Sequence, residues 1–472
     1  MRAEPLAAPI VLALALAGCS LAPAYHPPVS TVPPAFKETA TPPGWTAATP
    51  LDGQPRGPWW IAFGDPVLND LEDRAERASP TLADALARYD AAQAEARIDQ
   101  SGLFPQVGVN GQAGRQRVSA DRPLSQGSAV TYDNVVLGGS LSYEVDLWGR
   151  IRDGVKASRA EVVASGADLA SARLSLQAAV ADAYARLRGL DAQADLLQRS
   201  AEAFGRAYDL TVTRHDGGIV SGIDVNRART VLANARAQIS AIANARAATE
   251  HEIAALTGAT ASDFTIAPRV QPPLAPPVPA GTPSELLQRR PDIAAAERRL
   301  YAANARIGVA RAAFFPSLTL GLSGGWQSTN GSLLSAPNSF WGLGPVTSLL
   351  TLFDGGRRHA QVRLSRAQYD ELAAAYRTTV LTAFRQAEDA LAANRYLAAQ
   401  AVDQRDAAQA AARTSDLALT RYRDGASDYL EVVTAQTAAL DAQRTLIGVE
   451  TDRARASIAL VKALGGAPSQ DR

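Results

Sequence analysis

The sequence predicts a mainly α-helical chain with a membrane β-barrel portion, built from two copies of one helix–strand–strand–helix–helix unit. Three observations on the 472-residue chain support this fold class. Two halves of the chain align with each other, and each half contains a proline-free stretch of about 68 residues. Each half also contains two runs of about ten residues in which apolar and small or polar side chains alternate. Long proline-free stretches are typical of helices, and alternation with period two is typical of strands.

The two halves are related by an internal duplication. An offset of 211 residues (291 − 80) early in each half, and of 207 (425 − 218) later, aligns the residues that bound the predicted elements. The aligned pairs are Pro80 with Pro291, Pro105 with Pro316, Arg150 with Arg357, and Gly218 with Gly425. A repeat of this length is too long for a solenoid unit, so we predict a doubled domain with pseudo-twofold symmetry.

The longest predicted helices are Gly149–Asp216 and Gly356–Asp424, each roughly 100 Å long if helical throughout. In the first, apolar residues recur at steps of seven, four or three, which is the spacing of a coiled-coil seam. The seam residues are Val162, Leu169, Leu176, Val180, Leu187, Leu190, Leu197, Phe204 and Tyr208. Shorter helices, which would lie antiparallel to the long ones, are predicted at Pro80–Leu103, Ser221–Thr257, Pro291–Phe314 and Asp428–Leu464.

Four strands are predicted at about 105–115, 134–148, 316–327 and 341–353. Each run has about the length of a tilted transmembrane strand. Aromatic residues lie near both ends of the runs, as in the interfacial girdles of membrane proteins. Pro345 in the fourth run predicts a bulge or an edge strand.

Four strands cannot close a membrane barrel, because lipid does not tolerate an open strand edge. Two copies of the chain would supply eight strands, in a barrel whose interior is filled by side chains, and three copies would supply twelve and leave a channel, so we expect a barrel shared between copies of the chain. The alternative is a soluble sandwich, in which the same alternation occurs.

The start of the chain predicts a lipoprotein signal peptide at residues 1–18. Ile10–Ala17 is a short apolar core, and Leu16-Ala17-Gly18-Cys19 resembles a bacterial lipobox. In a lipobox protein the cysteine is acylated and becomes the mature N-terminus, so Cys19 is the predicted lipidation site. Ser20 in the next position favours the outer membrane over the inner one. An ordinary signal peptide with a chance cysteine is the alternative.

Composition and motifs argue against several other classes of protein. Lys and Arg (47) balance Asp and Glu (47), so no basic face is predicted and nucleic acid is not an expected partner. The single cysteine and four histidines form no HExxH or CxxC pattern, so no metal site is expected. The sequence contains no P-loop and no nucleophile elbow. We therefore expect neither an enzyme nor a cofactor other than covalent lipid on Cys19.

Several motifs, in order and at both repeat positions, resemble one family. They are Trp59-Trp60-x-x-Phe63-x-Asp65-Pro66-x-Leu68, Tyr143-Glu144-Val145-Asp146-Leu147-Trp148-Gly149-Arg150, Arg289-Arg290-Pro291-Asp292-Ile293 and Leu352-Phe353-Asp354-Gly355-Gly356-Arg357. With the lipobox, they resemble the TolC-like outer-membrane efflux proteins, in the lipoprotein (NodT-like) branch that serves resistance-nodulation-division pumps.

This resemblance implies a homotrimer with a trimeric 12-stranded β-barrel in the outer membrane of a Gram-negative bacterium. Its barrel would continue into a 12-helix periplasmic coiled-coil tunnel that docks on a periplasmic adaptor and an inner-membrane pump. The implied function is passive conduction of small molecules, such as drugs and toxic compounds, from the periplasm to the exterior. Two alternatives remain: the duct of a type I protein secretion system, and a lipid-anchored periplasmic adaptor or coiled-coil scaffold.

The resemblance also implies where the tunnel closes. In the family, helix hairpins close the periplasmic end and acidic residues ring the constriction. The matching turns contain Gly218 and Gly425, and the same turns would contact the adaptor. The acidic candidates are Asp424, Asp428 and Glu431, with Asp224 as the first-copy counterpart of Glu431. Arg421, Tyr422 and Arg423 are the candidates for bonds that hold the gate shut.

The expected organisation follows from these boundaries. After the signal peptide, residues 19–64 form a proline-rich N-terminal segment with the lipid anchor. The first efflux repeat is predicted at 65–260 and the second at 283–466, joined by a proline-rich linker at 261–282. Residues 467–472 are a C-terminal tail.

Overall fold

The computed structural model of the protein describes residues 20–27, 36–38, 57–121, 127–270, 275–276, 289–329, 334 and 336–466. Cys19 and the predicted signal peptide lie outside the described residues. So do the predicted C-terminal tail and parts of the two proline-rich segments.

Both copies of the repeat contain a shorter helix, two strands, a long helix and a further helix, in the predicted order, and the first copy has an additional helix at its start among the described residues. In the first copy these elements are α1 (Pro66–Ala78), α2 (Pro80–Ser101), β1 (Gln106–Val118), β2 (Val130–Val145), α3 (Arg150–Asp216) and α4 (Gly222–Leu256). In the second copy they are α5 (Pro291–Ala312), β3 (Ser317–Ser328), β4 (Ser339–Leu349), α6 (Arg357–Arg423) and α7 (Tyr429–Ala463).

Helix α1 was not predicted from the sequence, although its start is well marked. Asp65 is the N-cap, its carboxylate accepts a hydrogen bond from Val67 N at 2.9 Å, and Pro66 occupies the first turn. The helix ends at Ala78, and the C-cap residue Ser79 has an extended conformation. Pro80 disfavours the helical region for the residue before it, so α1 ends and α2 begins anew.

The chain divides into two compact units, and each takes residues from both copies of the repeat. One unit comprises Met1–Val29, Tyr89–Ser165 and Ala296–Tyr376, and it includes all four described strands. We call it the strand unit. The other comprises Ser30–Arg88, Gly166–Ala295 and Arg377–Arg472, and we call it the helical unit.

In the strand unit the strands form one antiparallel sheet in the order β1-β2-β3-β4. Neighbouring rows across the sheet alternate in character, because successive side chains of a strand point to opposite faces. One row consists of Val107, Leu141, Leu322 and Leu343. The next consists of Gly108, Ser140, Ser323 and Gly342. The predicted alternation is therefore confirmed in register, with Val107, Leu322 and Leu343 exposed on the apolar face.

The fourth strand is irregular, as Pro345 predicts. The β3–β4 register shifts between Leu320 and Leu322, and β4 is an edge strand of the sheet. It ends at Leu349, before the predicted end at residue 353. Aromatic residues lie at both ends of β3: Trp148 stacks on Phe315 with ring centroids 4.6 Å apart, while Trp326 pairs with β4 beside Phe340.

In the helical unit most residues of the α3 seam are buried, and Leu169, Leu190 and Tyr208 are partly buried. Leu176, Val180 and Leu187 pack in a core with Ile253 of α4 and Ile458 of α7. Further along the same helix, Leu197 and Phe204 pack in a second cluster with Leu232 and Leu440. Full burial of each such side chain contributes about 1.5–3 kcal/mol, so the apolar seam organises the bundle. In the part of the chain that the structure describes, no helix is both long and apolar enough to cross a membrane.

Candidate functional site

Two helix hairpins of the helical unit end in glycine turns. Gly218 connects α3 to α4, and Gly425 connects α6 to α7. Their φ angles are 74° and 78°, in the left-handed region that only glycine adopts without cost. A Cβ atom at either position would meet no neighbour within 4 Å, so the backbone conformation, not crowding, requires glycine here.

Two of the acidic gate candidates cap the helices that follow these turns. Asp224 forms a capping box with Ser221 at the start of α4. Asp428 is the N-cap of α7, and its carboxylate accepts a hydrogen bond from Glu431 N at 3.1 Å. Each cap satisfies a backbone N–H that has no partner within its helix, so both carboxylates have a structural role.

Tyr422 lies at the centre of a cluster that joins the two hairpins. Its ring is only 1% exposed and packs edge-on against the equally buried Tyr429, with ring centroids 5.5 Å apart. Its hydroxyl lies 3.3 Å from Thr211 Oγ1 on α3. The Arg214 guanidinium lies over the Tyr422 ring, 4.5 Å from its centroid. Arg214 also donates to the carbonyl oxygen of Arg423 at 2.9 Å, at the C-terminal end of α6.

The electrostatics of this cluster are simple. Burial, and then the nearby Tyr422 and Asp224, raise the pKa of Tyr429 to about 12. The Tyr429 phenol is therefore neutral at physiological pH, and Arg214 supplies a positive charge to the cluster. A cation over an aromatic face and beside helix C-terminal carbonyls is favourable on both counts.

The other candidates lie on the surface of the second hairpin. Arg421 and Glu431 form an exposed ion pair with a separation of 3.1 Å, of a kind that contributes little to stability. The side chains of Asp424 and Arg423 are exposed and form no ion pair with any described residue. Arg423 contributes its carbonyl oxygen to the contact between hairpins.

Three residues of the contact between hairpins were not named among the sequence candidates: Thr211, Arg214 and Tyr429. Thr211 and Arg214 are three residues apart in the last turns of α3, so they share one helix face. That spacing was visible in the sequence. Its partner on α6 was not, because Thr211 and Tyr422 are 211 residues apart in the chain.

Replacing Asp428 with alanine is expected to lower the free energy of unfolding by about 1 kcal/mol, because the first turn of α7 loses its cap. The substitution Asp428→Asn keeps an oxygen acceptor but not the charge, and it is expected to retain most of that stability. Chemical denaturation followed by circular dichroism compares the two variants with the unaltered protein. Equal losses in both would show that the charge, and not the cap, is what matters at this position.

Among the described residues, no group of three or more His, Cys, Asp or Glu side chains is placed to bind a metal ion. The side chains around Tyr422 form packing, cation–π and helix-end contacts.

Comparison with known proteins identifies the family. Both halves of the chain match the outer membrane efflux protein family, at residues 71–259 and 282–466. The toluene efflux pump outer membrane protein TtgC of Pseudomonas putida is 34% identical over 97% of this chain and 94% of its own length. The antibiotic efflux pump outer membrane protein ArpC of Pseudomonas putida has the same identity and coverage. The structure of the outer-membrane channel OprN superimposes with a TM-score of 0.87 at 30% identity, covering 95% of this chain and 99% of that one. The chain therefore belongs to the outer membrane efflux protein family.

Proposed function

We propose that this protein is the outer-membrane channel of a tripartite efflux pump, and that it conducts small molecules passively from the periplasm to the exterior. The observation that supports this most directly is its likeness, over nearly the whole chain, to outer-membrane components of efflux pumps. The family is one of channel proteins and not of enzymes. The protein is an outer-membrane component, and its partners in this role are a periplasmic adaptor and an inner-membrane pump of the resistance-nodulation-division type.

The sheet supports assembly as a homotrimer. In the described chain β1 and β4 are the two edges of a four-stranded sheet with an exposed apolar face. Unpaired strand edges in lipid leave backbone N–H and C=O groups unsatisfied, at several kcal/mol each. Pairing β4 of one copy with β1 of the next removes every edge, and three copies complete twelve strands.

The channel is not the component that selects the cargo. Two relatives of equal identity are named for pumps with different cargo, toluene in one case and antibiotics in the other. In the strand unit, the groove beside Glu144 and Arg150 is open and lined by both charged and apolar side chains. Sites that bind one small ligand tightly are instead mostly apolar and enclose most of its surface. In this proposal the pump selects the cargo and also supplies the energy.

Purified full-length protein in detergent tests this function in two steps. Light scattering is expected to give the mass of a trimer, and insertion into planar lipid bilayers is expected to give discrete single-channel currents. A monomer that produces no current would refute the channel. A trimer that produces no current even in the variant described next would also count against conduction.

The hairpin ends form the gate in this proposal, and Arg214 is expected to hold it closed. Arg214→Ala removes both the cation over Tyr422 and the hydrogen bond to Arg423 O, so the two hairpins separate more easily. We expect the open probability in bilayers to rise at least several-fold. Arg229→Ala, which removes an exposed positive charge from α4, is the matched control and should behave like the unaltered protein. Equal currents in all three proteins would exclude Arg214 from gating.

A covalent lipid on Cys19 is the second membrane attachment that we propose. The lipobox motif and the following Ser20 support it. Two or three acyl chains bury enough methylene groups, at about 0.8 kcal/mol each, to make attachment effectively permanent.

A further inference from the structure

Residues 20–25, which directly follow the proposed lipidation site, form a series of contacts along one helix of the strand unit. The partners on α5 are Glu297, Tyr301, Asn304, Gly308 and Arg311. Their spacing of four, three, four and three residues places all of them on one face of the helix. The segment runs antiparallel to α5, with Ser20 near the C-terminal end of the helix and Tyr25 near its N-terminal end.

We propose that this stripe of α5, together with Asp153 of α3, is an intramolecular docking site that fixes the lipidated N-terminus beside the junction of strands and helices. We call residues 20–25 the strap. The inference rests on the proposed lipid anchor for its purpose, while the docking itself rests on contacts among described residues.

The polar contacts satisfy the backbone of the strap. Arg311 donates to the carbonyl oxygen of Leu21 at 3.1 Å, and the buried Asn304 donates to that of Pro23 at 2.8 Å. Because an extended segment has no internal backbone partners, side-chain donors at fixed positions determine where it lies. These two donors therefore set both its direction and its register on the helix.

Tyr25 holds the C-terminal end of the strap. Its hydroxyl donates to Glu297 Oε1 at 2.7 Å, and its ring packs edge-on against Tyr301 with centroids 5.1 Å apart. Burial and the adjacent Glu297 raise the pKa of Tyr25 far above its usual value, so the phenol remains a donor. The contact combines aromatic packing with a charge-assisted hydrogen bond.

Gly308 permits the close approach of the strap to the helix. A Cβ atom at this position would lie 2.7 Å from Ala22 N and would also overlap a carboxylate oxygen of Asp153. Contacts that short do not occur between real atoms, and two of the obstructing atoms are backbone. Only glycine therefore lets the strap lie directly on α5.

Asp153 holds the N-terminal end of the strap, at Ser20. Its side chain is completely buried in the first turn of α3, and both of its oxygens lie 2.8 Å from Ser20 Oγ. Lys156 Nζ donates to the same carboxylate at 2.9 Å. A buried carboxylate is costly unless it is hydrogen-bonded, so Asp153 favours the conformation in which Ser20 is docked.

The duplication provides an internal comparison. By the 211-residue offset, the α2 counterparts of Gly308 and Tyr301 are Arg97 and Asp90, and by the 207-residue offset the counterpart of Asp153 is Ala360. The docking site is thus present in one copy of the unit and absent from the other. The structure has one N-terminal segment to dock, and the sequence provides one site for it.

The position of the docking site determines where the proposed lipid lies relative to the strands. β2 ends at Val145 and β3 begins at Ser317, so Asp153 and Arg311 both lie within eight residues of a strand end. One peptide bond joins Ser20 to Cys19, which limits their Cα separation to about 3.8 Å. An undocked strap of six residues would let the lipid move by roughly 20 Å. The docked strap instead presents the acyl chains at the level where the strands begin.

Chymotrypsin cleavage after Tyr25 tests the docking in the full-length lipoprotein. The protease needs an extended, undocked strand, so the rate of cleavage reports how often the strap leaves α5. Gly308→Ala is expected to raise this rate at least tenfold. Gly154→Ala is the matched control, since it is also a helical glycine in the same unit but has no atom within 4 Å of an added Cβ. It should be cleaved at the rate of the unaltered protein.

The mass of the released peptide, Cys19–Tyr25, separates this inference from the proposed anchor. An acylated peptide supports the lipid, and an unmodified one refutes the lipid while the rates still report on docking. Should Gly308→Ala not assemble, Ser20→Ala leaves the helix unchanged and is expected to raise the rate several-fold. Equal rates in the unaltered protein, the control and the docking variants would overturn the docking site.

Discussion

Replacing Asp191 with alanine is expected to destabilise the helical unit by about 3–5 kcal/mol, because it leaves a buried arginine without its counter-charge. The Asp191 side chain is 1% exposed and that of Arg188 is 4% exposed. Arg188 Nη1 lies 2.8 Å from one carboxylate oxygen, and Arg246 Nε lies 2.7 Å from the other. Arg269 N donates to the same carboxylate at 3.1 Å.

The effect is expected to be large because the network joins three parts of the chain. Arg188 is on α3 and Arg246 is on α4, and they donate to the carbonyl oxygens of Ala267 and Ile266 in the segment after α4. Removing the carboxylate therefore weakens the attachment of that segment as well as the contact between helices.

Chemical denaturation in detergent, followed by circular dichroism, measures the change. Asp195→Ala is the matched control, because the exposed Arg199 on the same helix is the one ion-pair partner of Asp195 among the described residues, and its loss should cost no more than about 0.5 kcal/mol. Similar losses in the two variants would mean that Asp191 contributes no more to the free energy of unfolding than a surface ion pair does.

Replacing Glu72 with glutamine is expected to raise the free energy of unfolding at alkaline pH. Most substitutions of buried residues lower it instead. Glu72 lies on α1 and is 1% exposed, and neither of its carboxylate oxygens has a hydrogen-bond partner among the described residues. Burial, and then the nearby Glu76 and Asp73, raise the pKa of Glu72 to about 9. The folded protein therefore keeps this carboxyl group protonated at neutral pH.

The direction of the pH dependence follows from proton binding. Between pH 4.5, the ordinary pKa of the group, and pH 9, the folded protein binds a proton at Glu72 that the unfolded chain has released. Stability from this group is thus fully present below pH 4.5 and decreases as the pH rises, until the folded protein also releases the proton near pH 9. Each pH unit within this window costs about 1.4 kcal/mol.

Unfolding at a series of pH values checks this expectation. Glutamine cannot ionise, so the Glu72→Gln variant should exceed the unaltered protein by roughly 3–5 kcal/mol at pH 8 and differ little at pH 5. Asp70→Asn, on the same helix but exposed and paired with Arg74, is the control and should show no such divergence between pH 6 and pH 9. Parallel curves for Glu72→Gln and the unaltered protein would show that Glu72 is ionised in the folded state.

Local sequence patterns predicted the long helices, the strands and the turns. The seam of α3 follows from spacings of seven, four and three, and the faces of β2 and β3 follow from alternation. The turns at Gly218 and Gly425 follow from glycine between two helical patterns. These signals act over a few residues, because helix and strand periodicity depend on the backbone alone. Helix α1 was missed, because it is short: its start signal, Asp65-Pro66, is not followed by a long run of periodic apolar residues.

The residues that make the site and the docking surface could not be predicted in this way. Arg214 contacts Tyr422, Asp191 contacts Arg246, and Ser20 contacts Asp153, and the partners are 208, 55 and 133 residues apart in the chain. The sequence by itself determined the long helices, the strands, the glycine turns, the duplication and the family of this protein. Only the tertiary structure decided which polar side chains meet, because the register between packed helices depends on the summed packing of many apolar side chains and not on any local signal.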